Sequence, residues 1–211
     1  MSTFVLLTVT SIIFVVDPLG VLPSYLVMTA ADRPDKRRRT ALRAAVAATV
    51  TLLLFAAGGG HMVKLFGVTM PALRIAGGLV LLIVALDMTK ALRPTQEGPG
   101  EVAEGSEKAD VAITPLAIPM LAGPAALATV TMLMNQAETW PEAVVVIAVI
   151  LLTGSIIYIT LRLAEPLHRL LGKTGIQVLT RIMGLVLLAL AVQFILDGWQ
   201  QYSAAASTRG A

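Results

Sequence analysis

The sequence predicts an all-α membrane protein of six transmembrane helices, arranged as two inverted three-helix repeats with the first helix of each repeat broken. Three observations predict it: six apolar runs long enough to cross a bilayer, a likeness between the two halves, and Pro/Gly interruptions at corresponding places. Composition agrees. Of 211 residues, 56% are hydrophobic and 14% charged, with a mean hydropathy of +0.82, whereas soluble domains are about a quarter charged. The charges gather in short clusters between apolar runs instead of interleaving with them. There is no cysteine, which excludes disulfide frameworks, thiol catalysis and iron–sulfur sites.

A membrane helix needs about twenty residues at 1.5 Å each. The six runs fall roughly at Thr3–Thr29, Ala41–Val63, Pro71–Met88, Ile113–Met134, Glu142–Leu163 and Val178–Trp199. The first has no basic residue ahead of it, so it reads as a retained membrane helix and not a cleaved signal peptide. Residues 1–92 form the first repeat, 113–199 the second and 200–211 a tail. Between the repeats, 93–112 is rich in Gly, Pro and Glu with no apolar period, the composition of a flexible connector.

Orientation follows from Lys and Arg, which favour the cytoplasmic side. The first linker carries Arg33, Lys36, Arg37, Arg38 and Arg39, with Arg43 just inside the next span; Lys90, Arg93 and Lys108 surround the third. Arg162, Arg169, Lys173 and Arg181 flank the fifth, while the opposite side holds Lys64, Arg74 and Arg209. Odd-numbered linkers are therefore expected in the cytoplasm and both termini outside a cell (inner) membrane. Trp140, Trp199 and Tyr202 then fall at the outer interface, Tyr25 and Tyr158 at the inner one. The net charge of +3 and pI near 9.5 follow from this topology, so lipid and not nucleic acid is the expected partner of the basic run.

The likeness between halves is most specific in the third and sixth spans. Arg74-Ile75-Ala76-Gly77-Gly78 precedes Leu-Val-Leu-Leu, and Arg181-Ile182-Met183-Gly184 precedes the same four residues about 106 positions later. That offset also carries Asp17-Pro18-Leu19-Gly20 onto Gly123-Pro124-Ala125-Ala126. With three helices per repeat, the second copy inserts upside down. Broken helices at matching positions of inverted repeats mark a transporter's midplane site.

The first span holds Asp17, Pro18, Gly20 and Pro23; the fourth holds Pro115, Pro119, Gly123 and Pro124. Proline removes a backbone donor and clashes with the preceding turn, so breaks are expected at Asp17–Pro23 and Pro119–Pro124, at similar depth. A break frees carbonyls on one side and N–H groups on the other, which lipid cannot satisfy. The pair suits a small zwitterion, its carboxylate at the helix start and its ammonium at carbonyls or Asp17. Asp17, Pro18, Gly20, Pro23, Pro119, Gly123, Pro124 and Ala125 are the candidate substrate-binding residues. Asp17 contacts substrate or a coupling ion (Na+ or H+), pairs with Arg74, or caps the second half-helix; a carboxylate mid-membrane needs one of these roles. Arg74 and Arg181 are coupling or structural charges. Asp87 and Asp197, near helix ends, read as interfacial. His61 and His168 are far apart, so no metal site is expected, and no nucleophile–base motif suggests an enzyme. A homo-oligomer is compatible with the sequence.

FGVTMPALRIAGG (Phe66–Gly78), TPLAIPMLAGPAALATV (Thr114–Val130), TRIMGLVLLALAVQFILDG (Thr180–Gly198) and DPLG (Asp17–Gly20) resemble the MarC family of bacterial and archaeal membrane proteins. The resemblance runs through all six spans and implies a six-helix inner-membrane protein. SnatA-type relatives are described as cation-coupled transporters of small neutral amino acids such as glycine and alanine, which makes such transport the expectation here. Ala125 departs from the family, which commonly has Gly after AGP; the extra methyl narrows the expected site or stiffens the break. The rival readings are an exporter or channel for another small solute, and a membrane assembly protein with no transport cycle.

Overall fold

The computed structural model describes residues 1–90 and 112–209. The connector expected over 93–112 thus lies outside the described residues except at Ala112, as do Arg93 and Lys108. Eight helical elements follow in order: α1 Ser2–Val16, α2 Leu22–Met28, α3 Pro34–Leu65, α4 Met70–Lys90, α5 Ala112–Leu121, α6 Pro124–Gln136, α7 Trp140–Arg162 and α8 Ala164–Arg209. Among the described residues there is no strand.

Among the described residues, four stretches are long and apolar enough to cross a membrane: Pro34–His61, Met70–Thr89, Trp140–Arg162 and Thr174–Ala205. α5 and α6, bent by 60° at their junction, make a fifth if the pair is one span. α1 is apolar but has only 15 residues, about 22 Å of helix. The 32 residues of α3 would reach about 48 Å, well beyond a hydrocarbon core of about 30 Å. The basic residues Lys36–Arg39, expected in a linker, therefore ride on the first turns of this helix. α8 turns sharply at Gly172, whose φ of 63° and ψ of −178° lie where a Cβ is not tolerated. The sharp turn separates a short leading piece, with Glu165, His168 and Arg169, from the long apolar stretch.

Small residues decide which faces pack. On α3, Ala41, Ala44, Ala45, Ala48, Leu52 and Ala56 are buried at the spacing of one helical stripe. That stripe lets α3 approach α6 and α7 closely, as membrane helices do when no hydrophobic force drives them together. Thr49 of α3 touches Gly154 of α7 where a Cβ would stand. The opposite faces expose Leu54, Ile83, Leu151 and Leu185, as a lipid-facing surface requires. Buried hydroxyls turn back on their own helices: Thr129 donates to the Ala125 carbonyl at 2.8 Å and Thr153 to that of Val149 at 2.8 Å, satisfying donors that lipid cannot.

α4 and α8 pack side by side along most of α4. Gly78 faces the Ala191 carbonyl, Gly184 faces Met88 and Thr89, and Gly198 faces Pro71 and Ile75. As position numbers rise on one helix they fall on the other, so the two run antiparallel. α1 lies on α6 and α7, α2 on α7 and α8, and α4 also on α6.

Candidate functional site

The first break is built by Asp17. Its amide closes α1 by donating to the Ile13 carbonyl at 3.1 Å, and its backbone then turns left-handed at φ 44°, ψ 67°. Asp is among the few L-residues that visit this region readily, and Pro18 forbids the helix to continue. The Gly20 amide donates both to the Asp17 carbonyl at 3.2 Å and to its carboxylate Oδ1 at 3.1 Å. A Cβ on Gly20 would overlap Asp17 Oδ2 and stand 2.6 Å from Met88 Cε. Glycine is thus required for the carboxylate to fold over the turn. Pro23 sits in the first turn of α2, where its missing N–H is not needed. Asp17 is 8% exposed.

Two structural roles considered for Asp17 are not taken up. Arg74, near the start of α4, pairs with Asp197, while the Asp17 turn lies against Met88 near the end of that helix. Nor does the carboxylate cap α2: it ends on Gly20, before that helix begins at Leu22.

The second break is wider. Thr114 and Ile118 of α5 are extended, with cis peptide bonds before Pro115 and Pro119. Its last bond reaches back five residues, from the Ala122 amide to the Ala117 carbonyl at 2.8 Å. Gly123 is extended (φ −76°, ψ 169°), Pro124 occupies the first position of α6, and no side chain caps that helix start. Pro124 itself is exposed and Gly123 half-buried, while Ala125 and Ala126, which follow in the first turn, are buried. A Cβ on Gly77 of α4 would lie 3.1 Å from Ala128 Cβ and 3.5 Å from Ala125 Cα, so α4 rests directly on the first turn of α6. The expectation of similar depth needs correction. The first break meets α4 at Met88 and the second at Gly77, eleven residues or about 16 Å along that helix. The reason is that α4 passes both breaks in turn instead of lying beneath a single crossing point.

Arg74 and Arg181 match in sequence but not in surroundings. Arg181 is exposed. The Arg74 side chain is 11% exposed, and its Nη1 lies 3.6 Å from Asp197 Oδ2. Gln193 Nε2 donates to the other oxygen of Asp197 at 2.6 Å. Arg74 Nε is buried with no hydrogen-bond partner among the described residues. Asp197, read from sequence as interfacial, is thus part of a polar cluster. A signal was present in its position within an otherwise apolar stretch, but its partner lies far away in sequence.

A second cluster joins α2, α3 and α8, and sequence reasoning assigned it only to topology. Arg37 donates to the Thr29 and Ala30 carbonyls at 2.7 and 2.8 Å, closing the end of α2, and to Glu165 at 2.5 Å. Arg169 lies 3.3 Å from the other Glu165 oxygen, and the Tyr25 hydroxyl donates to the Arg37 carbonyl at 2.9 Å. The hydrogen bond from Arg37 holds the Glu165 carboxyl below its ordinary value.

Comparison with known proteins places this architecture. The model of the family described as MarC family integral membrane protein matches residues 2–202. A UPF0056 membrane protein of Methanocaldococcus jannaschii is 35% identical over 195 residues, covering 92% of this chain and 95% of the relative. One from Pyrococcus abyssi is 35% identical over 198 residues, 94% of each chain, and one from Escherichia coli is 30% identical over 184, covering 87% and 86%. No solved structure matches. The chain, multi-pass and with helices as its only regular structure among the described residues, belongs to the MarC family of integral membrane proteins.

Proposed function

We propose that the protein is a secondary transporter of small neutral amino acids of the glycine and alanine class, a carrier and not an enzyme. It works by alternating access and is coupled to Na+ or H+, as described for the SnatA-type relatives. In this reading six spans form two inverted three-helix repeats in the inner membrane, with both termini outside. α1 with α2 makes the first span and α5 with α6 the fourth. The observation that carries the reading is that the two interrupted segments are the ones paired by the 106-residue offset, with Asp17 and Pro18 buried at the first and Ala125 and Ala126 buried just behind the second. A buried carboxylate stands at one break and an uncapped helix start at the other. These are the two kinds of group that a coupling cation and an anionic substrate group need, each at its own break. The antiparallel contact of α4 with α8, glycine against the partner helix on both sides, supports the repeat symmetry.

The test is uptake of labelled glycine and alanine into proteoliposomes under imposed proton or sodium gradients. Gradient-dependent accumulation is expected. Conduction at channel rates, or no ligand-dependent stabilisation and no uptake, would replace the carrier by a channel or an assembly protein.

A further inference from the structure

Where the start of α3 meets the end of α7, two arginines from different helices converge on one phenol. The Tyr158 hydroxyl lies within hydrogen-bonding reach of both the Arg38 and the Arg162 guanidinium. Both arginines are exposed and Tyr158 is half-buried. Two like charges gathered on a neutral oxygen leave an excess of positive charge. The acids nearby do not remove it. Asp32 pairs with Lys36, and Glu165 with Arg37 and Arg169, while Asp35 acts on Arg38 through space. Among the described residues neither Arg38 nor Arg162 is in an ion pair. Each guanidinium offers five N–H donors, and one phenol oxygen occupies few of them.

Away from this end the same seam turns apolar. Leu42 and Val46 follow Arg38 about one and two turns along α3, continuing its face, and both are exposed. On α7 the face of Arg162 and Tyr158 runs back through Ser155 to Leu151, which is also exposed. Ser155 donates to the Leu151 carbonyl at 3.1 Å, so its hydroxyl is satisfied within its own helix. Thr49 against Gly154 keeps the two helices in contact farther along, and the two stripes lie side by side. From Arg38 to Val46 is about 12 Å, close to the roughly 15 Å of hydrocarbon in one leaflet. Arg162 ends the apolar stretch Trp140–Arg162, which puts the arginines at headgroup level and the stripes beside acyl chains.

We propose that the α3–α7 seam binds one anionic phospholipid, its phosphate held by Arg38 and Arg162 beside Tyr158 and an acyl chain lying along Leu42, Val46 and Leu151. Guanidinium donors match phosphate oxygens in a planar fork, and basic pockets between membrane helices suit anionic headgroups. The site does not depend on the transport reading.

The experiment titrates the purified full chain in detergent with phosphatidylglycerol or with phosphatidylcholine of the same chains, and counts bound lipid by native mass spectrometry. Wild type is expected to hold one phosphatidylglycerol at least tenfold more tightly than phosphatidylcholine, equivalent to about 1.4 kcal/mol. Arg38→Gln and Arg162→Gln should each remove that preference. Arg39→Gln loses the same charge one residue away on another face of α3, and should keep it. If one of the two seat variants does not fold, the other decides. No preference in wild type, preference retained in the folded seat variants, or an equal loss in Arg39→Gln would overturn the proposal and leave a diffuse basic surface. Glycerol 3-phosphate carries the phosphate without acyl chains and should not displace the lipid at equal concentration. Displacement would make this a site for soluble phosphate and overturn the lipid assignment.

Discussion

Replacing Gly78 by alanine tests the α4–α8 packing on which the repeat reading leans. A Cβ at Gly78 would stand 2.9 Å from the Ala191 carbonyl oxygen, 2.9 Å from Ile195 Cγ1 and 3.1 Å from Phe194 Cβ. One of these neighbours is backbone, so the helices themselves must move apart. Overpacking of this kind costs about 1–3 kcal/mol. Alanine also gains about 0.8–1 kcal/mol of helix propensity over glycine, which partly offsets the clash. Gly58→Ala in α3 isolates that gain, because nothing lies within 4 Å of a Cβ there. The difference between the variants is therefore the packing cost alone. For a chain of this size about 1 kcal/mol moves Tm by about 2–4 °C, so Gly78→Ala should unfold about 2–12 °C below Gly58→Ala. Thermal unfolding of both in one detergent, followed by tryptophan fluorescence, gives the comparison. Gly184→Ala, whose Cβ would meet Met88 Cβ at 2.9 Å and the Thr89 amide at 3.0 Å, should behave like Gly78→Ala. If Gly78→Ala unfolds at or above Gly58→Ala, the close approach of α4 and α8 is refuted.

Asp17→Asn should fold normally, because asparagine tolerates the left-handed turn and can still accept from Gly20; cation or substrate binding should weaken about tenfold, or about 1.4 kcal/mol. Equal ion dependence of transport in variant and wild type would reduce Asp17 to a turn-forming residue. Glu165→Gln should loosen the junction of α2, α3 and α8 and flatten the acid limb of stability. With its folded value held below the ordinary 4.5, Glu165 stabilises fully above that value, and the contribution disappears as pH falls through the lowered one. Parallel pH titrations of unfolding in wild type and Glu165→Gln check this, and superimposable acid limbs would contradict it. Since the chain has no cysteine, Asn135→Cys gives a single label site; impermeant maleimide should reach it from outside the cell, and labelling from the cytoplasmic side alone would reverse the topology.

The breaks were legible in the sequence because their causes are local. Proline lacks a donor and clashes with the preceding turn wherever it stands, so Pro18 and Pro124 end one helix and start another regardless of their neighbours. The apolar runs of α3, α4, α7 and α8 were legible for the same kind of reason, since burial in lipid needs only length and composition. The runs around the two breaks were less so, because each is divided between two helices, α1 and α2 or α5 and α6, the latter pair bent by 60°.

What the sequence could not decide is which side chains meet across helices. Arg74 and Arg181 stand in matching stretches of sequence, yet one is buried against Asp197 and the other is exposed. Arg37 reaches Glu165 across 128 positions of chain, and a run of basic residues gives no hint which member turns inward. The sequence by itself determined an all-helical membrane protein, the interruptions in two of its apolar runs and the family resemblance, because hydropathy, proline geometry and motif spacing act within a few residues. Only the tertiary structure decided the Arg74–Asp197 pair, the Arg37–Glu165 junction and the 16 Å between the breaks along α4. Those depend on how closely two helices approach and in what register. That is set by glycines and alanines on both partners at once.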